Sequence, residues 1–287
     1  MRRAVFQPHL PRYPVAAVQG IRRVRVWLLA GGLGLALASP RAGAESALRL
    51  PAPQIIGVVG AETYDEAGRR VGSATLRVEE LSDGLVELEV RSGIDGAEQT
   101  VVNARLARIG GEVAYRPVSQ SSRSFDASGR TLGLLTVDHL RSEVVCDPPI
   151  GGGSEPQRLA LPAGDRVANV PLNLLFLPLA RGEAQRVDFQ FVLCRGGPRV
   201  LPATAEVVKV THAGPGGREH VVEVRYHLDL GPVLTKLAGP FLPRLSMWLD
   251  AERPDAWLGH RVPLFSQGPT VVVMRTGFDP TLLGVGN

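Results

Sequence analysis

The run His220-Val221-Val222-Glu223-Val224-Arg225-Tyr226-His227-Leu228-Asp229-Leu230 decides the fold class. Val222, Val224, Tyr226, Leu228 and Leu230 share one parity, and Glu223, Arg225, His227 and Asp229 share the other. Successive side chains of a strand point to opposite faces, so this run predicts a strand with one dry face and one wet face. A slip of one residue would bury the charges and expose the valines, so the register should be firmly set.

The same pattern recurs on both sides of this run. Thr75 to Glu79 alternates, Ser82-Asp83-Gly84 supplies a hairpin turn, and Leu85 to Arg91 answers with Val86, Leu88 and Val90 on one face. Asn103 to Arg108 continues the meander, with Val113, Tyr115 and Pro117 read as facing one way after the Gly110-Gly111 turn. Asp126 to Gly129 reads as another turn, before a strand over Thr131 to Asp138. Val187, Phe189, Phe191 and Leu193 alternate later, and Leu245 to Asp250 and Thr270 to Thr276 read as closing strands. The block Pro171-Leu172-Asn173-Leu174-Leu175-Phe176-Leu177-Pro178 predicts either a short helix capping the sheet or a buried core segment. The expected fold is therefore mostly β: a curved antiparallel sheet of about ten strands, a half-barrel or partial barrel, with one or two short helices. So little helix leaves the apolar face to curl upon itself or to shelter a ligand, and a partly open apolar concavity is expected.

Residues 1–44 read as a signal peptide and 45–287 as a single β-rich domain. Ile21-Arg22-Arg23-Val24-Arg25 forms a positive region, Val26 to Ala38 an apolar run too short to span comfortably, and Ala42-Gly43-Ala44 a small-x-small cleavage site before Glu45. The charge balance changes at that point. The chain has 32 basic and 28 acidic residues, but seven arginines and no acid lie in residues 1–44, leaving 25 basic against 28 acidic. The body is mildly acidic, so no nucleic-acid partner is expected. No transmembrane span is expected after cleavage, and the location expected is the periplasm, with the extracellular medium as the alternative.

Two cysteines, Cys146 and Cys194, remain after the leader. In an exported protein one intramolecular disulfide is the simple expectation, against two buried thiols or a reactive thiol that lacks a neighbouring base. Between them lies a Gly/Pro-rich stretch at about 147–157, read as a loop within one fold or as a linker between two.

The chemistry-bearing residues are sparse. His139, His212, His220, His227 and His260 form no zinc-ligand spacing, and no Gly-x-Ser-x-Gly nucleophile elbow occurs. Glu223, Arg225, His227 and Asp229 share a strand face, which reads as a solvated surface with ion pairs ahead of an acid/base or metal cluster. His220 falls on the apolar parity at the strand entrance. Tyr226 and Trp248 are the aromatic candidates for ligand contact. Neither a metal nor a cofactor is expected.

Gly72-Ser73-Ala74-Thr75-Leu76-Arg77-Val78 after Tyr64, with Leu245-Ser246-Met247-Trp248-Leu249-Asp250, Trp257 to Pro263 and Val271 to Arg275, resembles uncharacterised exported bacterial proteins with a YmcC-like half-barrel. That fold is similar to the periplasmic lipoprotein carriers, in which a curved antiparallel sheet wraps an apolar concavity. The resemblance spans most of residues 53–280 and brings no catalytic residues with it. It implies a non-enzymatic envelope protein that holds a lipid or other apolar small molecule in the concave face. The alternatives are a structural or protein-interaction module of the envelope with a filled core and, ranked last, a hydrolase using the Glu223-to-Asp229 face.

Overall fold

The computed structural model describes residues 48–53, 56–110, 112–147, 155–161, 166–194, 197–213, 219–229, 231, 244–250, 252, 257–264 and 268–278. The signal-peptide assignment, Ala42, Ala44 and Glu45 included, and most of the Gly/Pro-rich loop lie outside them.

The amphipathic runs form one antiparallel sheet of fifteen strands. In chain order these are β1 (Leu50–Pro51), β2 (Gly57–Tyr64), β3 (Arg70–Glu80), β4 (Leu85–Gly93), β5 (Gln99–Arg108), β6 (Ala114–Phe125), β7 (Thr131–Asp138), β8 (Glu143–Asp147) and β9 (Gln157–Ala160). Two single-turn helices follow, α1 (Leu172–Leu175) and α2 (Leu177–Ala180). The chain then forms β10 (Arg186–Cys194), β11 (Pro198–Ala213), β12 (Glu219–Leu228), β13 (Leu245–Asp250), β14 (Trp257–Pro263) and β15 (Thr270–Arg275). The spatial order is β10 to β15, then β2 to β9, so β15 pairs with β2 and joins the two halves. β1 is a short addition on β6.

The turns follow the local chemistry. The Asp126 carboxylate accepts the backbone N–H groups of Ser128 and Arg130 at 2.9 and 3.0 Å, and Gly129 takes a positive φ of 80° that closes the β6–β7 hairpin. Asp65 accepts Arg69 N–H at 2.9 Å in the β2–β3 turn.

One row of side chains traces the concave face across the sheet. It runs Ala205, Tyr226, Val224, Met247, Val273, Thr63, Ala61, Ala74 and on through Leu76, Val90, Leu88 and Ala104 to Gln120, Val137 and Val144. Val86, Leu88, Val222, Val224 and Tyr226 are buried there, with Val90 and Leu228 packed at its margin, as their parity predicts. The opposite parity carries ion pairs, among them Arg105–Glu87, Arg91–Glu89 and Arg225–Glu223.

Three departures from the sequence reading have physical reasons. Val113 is 78% exposed, because it sits in the turn before β6 begins at Ala114. β11 was hidden by Pro202, which breaks the alternation; here it lies opposite Gln190, and its carbonyl accepts Asp229 N–H at 2.8 Å. Most consequentially, the expected open concavity is occupied. α1 and α2 lie inside it: Leu172, Leu174, Leu175, Phe176, Leu177, Leu179 and Ala180 are all buried in one cluster with the concave residues of the sheet. The block is thus a buried core segment, and its helical part is two single turns within the hollow, not a cap over the sheet.

The sheet ends do not meet as a closed barrel; they overlap. On β10, Phe189 faces the main core, whereas Val192 and Cys194 have the opposite parity. Val192 and Cys194 pack with Val137, Val144 and Cys146, which stand on the concave face of β7 and β8. The concave side of one end therefore rests on the convex side of the other. A disulfide between Cys146 and Cys194 fixes the overlap, with Cα atoms 5.6 Å apart, within ordinary disulfide geometry.

Candidate functional site

Tyr226 lies at the centre of the concave face. Its ring is 5.3 Å from Phe176 and 6.4 Å from Phe189, and Phe176 and Phe189 meet edge-on at 5.7 Å. Such tilted contacts suit the charge distribution of aromatic rings, and the trio fills the hollow at the point where a ligand was expected. Burial pushes the Tyr226 phenol up from its ordinary value, so it stays protonated. Phe176 is held there by its own chain: its N–H donates to Leu172 O at 2.9 Å, and Ala180 and Leu179 N–H donate back to its carbonyl at 3.2 and 3.0 Å.

Trp248 stands on the other face of the sheet. It is buried with Val221, Leu258, Val272, Met274 and Phe278 in a second small core. Its neighbour Gly259 leaves no room for a side chain, since a Cβ there would overlap Met274 and the Val273 carbonyl. The Arg261 guanidinium lies 5.7 Å from the Trp248 ring centroid, a cation–π contact that gives the indole a polar neighbour. The two aromatic candidates are therefore not brought together; the sheet separates them.

The seam between β6 and the β10 edge is the most constructed polar arrangement. Residues 166–170 run along the outer edge of β10, with Ala168 N–H donating to Gln190 O at 2.9 Å and Gln190 N–H to Arg166 O at 3.0 Å. Asn169 then substitutes its side-chain amide for backbone: Oδ1 accepts Val192 N–H and Nδ2 donates to Val192 O, both at 2.9 Å. From the concave face of β6, Gln120 closes the gap. Its Oε1 accepts Asn169 and Val170 N–H at 2.7 and 2.9 Å, and its Nε2 donates to Val167 O at 3.0 Å and to His139 Nε2 at 2.7 Å. All four hydrogen-bonding positions of a 2% exposed amide are thus used. The sequence signal for Gln120 is poor, since Ser119-Gln120-Ser121-Ser122 looks like polar surface.

On the convex face, Arg77, Glu79, Glu87, Glu89 and Asn103 line a polar groove of about 100 Å³. Each carboxylate there has an arginine: Arg77 with Glu79, Arg105 with Glu87 at 3.1 Å, and Arg91 with Glu89 at 2.7 Å. The Arg91 hydrogen bond holds Glu89 below the usual carboxylate range. These are exposed, mutually neutralised pairs, each worth no more than about 1 kcal/mol. The Glu223-to-Asp229 face is similar: Arg225 pairs with Glu223 at 3.2 Å, and Asp229 accepts Gly231 N–H at 2.7 Å. Among the described residues no three His, Cys, Asp or Glu side chains gather as metal ligands.

No known family's sequence profile matches the chain, and no curated protein matches it in sequence. Among solved structures it is similar to a β-barrel-like protein of the domain of unknown function DUF1849 from Brucella abortus. The identity is 11%, the match covers 79% of this chain and 99% of that one, and the TM-score is 0.42.

Proposed function

We propose that the chain is a non-enzymatic, exported envelope protein that serves as a structural or protein-interaction module. The observation that carries this reading is Phe176: it is fully buried between Phe189 and Tyr226, so the hollow of the curved sheet is spent on the protein's own side chains. Export is supported by the leader chemistry and by the Cys146–Cys194 bond, since disulfides persist in oxidising compartments. Among the described residues no helix is long and apolar enough to cross a membrane. The periplasm is the compartment we assign, and the resemblance to YmcC-like half-barrels agrees with it.

Carriage of a lipid or other apolar molecule would require α1 and α2 to leave the concave face. Native mass spectrometry of the protein after gentle extraction separates the two readings. A bare polypeptide mass, starting at or within a few residues of Glu45, is expected. A stoichiometric lipid adduct would overturn the filled-core reading, and a mature protein retaining residues 26–38 would overturn the cleaved leader.

A further inference from the structure

The β11–β12 hairpin outruns its neighbours. β10 ends its pairing at Arg186, opposite Glu206, and β13 ends at Asp250, opposite Val221. Beyond these rungs β11 and β12 continue alone among the described residues, through His212↔His220 and Ala213↔Glu219. The two histidines are direct cross-strand partners, and their rings stack at a centroid distance of 5.4 Å with 27° between planes. His212 is exposed and His220 partly so.

We propose that His212 and His220 form a surface site for a borderline divalent transition metal: Cu(II), Ni(II) or Zn(II). Directly opposed residues of an antiparallel pair hold their Cβ atoms about 5 Å apart, which lets two imidazoles turn their nitrogens to one ion at about 2 Å each. Imidazole is the ligand type these metals prefer, and hard cations such as magnesium and calcium are refused. A two-stranded projection leaves room for the small side-chain rotations that convert stacked rings into a chelating pair. It also leaves the remaining coordination positions to water or to an incoming ligand. The hairpin supplies preorganisation, because the ladder from Ala203 to Ala213 sets the distance between the two rings before any metal arrives.

The test is titration of the mature protein with each metal salt alone by isothermal calorimetry, with electron paramagnetic resonance of the Cu(II) form. One ion per chain with two nitrogen ligands is expected. His212→Ala and His220→Ala should each weaken binding at least about tenfold, since losing a ligand costs no less than losing an outer partner of one. His227→Ala, on the solvated face of β12, should leave it unchanged. Unaltered Cu(II) binding in either hairpin variant would overturn the site, as would a wild-type protein that binds none of the three metals. Circular dichroism of the variants keeps a folding defect from passing as lost ligation.

Discussion

The side-chain oxygen of Gln120 accepts the backbone N–H of Asn169 at 2.7 Å, joining residues 49 positions apart across the inside of the sheet. A β-sheet edge normally ends against another strand, against water or under a covering element. Here the β10 edge ends on an edge segment, and that segment ends on one amide. Gln120→Leu would take from the part-buried Asn169 and Val170 N–H groups the acceptor they share. At roughly 1–3 kcal/mol for each orphaned N–H, a loss of about 2 kcal/mol or more is expected in urea unfolding. Gln120→Glu keeps the shape but replaces the donor with an acceptor facing Val167 O, and it should also destabilise. A wild-type midpoint in Gln120→Leu would show that the seam is not closed by this residue.

The disulfide joins residues 48 positions apart. On the chain-entropy model that closure is worth about 4 kcal/mol. Cys146→Ser with Cys194→Ser, or reduction under mild denaturant, should lower the unfolding free energy by that order. Free-thiol titration of the native protein should find neither sulfur reactive.

Burial lowers the His260 imidazole from 6.5 to about 4. It stands opposite Met247 and Val273, with the Trp257 ring 5.7 Å away. The unfolded chain takes up a proton below about pH 6.5 that the folded chain refuses until about pH 4. Stability should therefore fall as pH drops through that window. The full shift is worth about 3 kcal/mol, and because the residue as a whole is only half-buried the expected loss is about 1–2 kcal/mol. His260→Gln should flatten the stability profile between pH 6.5 and 4.5. The carboxylates Glu62 and Glu89, whose values lie below 4.5, contribute their own loss at lower pH. An unchanged slope in His260→Gln would refute the assignment.

Gly72 sits where β3 passes the start of the β4–β5 turn, and a Cβ there would overlap the carbonyl oxygen of Gly93. The obstacle is backbone held by Ile94 N–H to Glu98 O and Asp95 N–H to Val71 O, each at 2.8 Å. Gly72→Ala should cost about 1–3 kcal/mol, as overpacking does. Gly110→Ala, with open space around it, serves as the control in thermal unfolding.

Period-two alternation made most of the sheet legible, because strands such as Val222 to Leu228 have one dry and one wet face and little else to reconcile. It failed where a strand is interrupted, as β11 is by Pro202. On β10 the alternation of Val187, Phe189, Phe191 and Leu193 shows the strand, but Val192 and Cys194 on the other parity pack into a separate core, and the overlap of the sheet ends cannot be read from the pattern. The Leu172-to-Ala180 block was visible as apolar, but nothing local distinguishes a cap laid over a sheet from a plug laid within it. Tyr226 and Trp248 were both singled out as aromatic candidates for ligand contact, and both are buried. That they face opposite sides depends on the pairing of Glu223, not Val222 or Val224, with Trp248, a non-local fact.

The bond between Cys146 and Cys194 has a consequence for the chain as a substrate of proteases. The ring it closes contains residues 166–170 that finish the sheet edge and the whole of α1 and α2. A single cut anywhere inside that ring yields two polypeptides on a reducing gel but one particle in solution. Neither the edge segment nor the plug is released from the molecule by such a cut. Digestion under oxidising conditions should therefore leave the native mass intact apart from added water, and the same nick should become destructive only once the sulfurs are reduced.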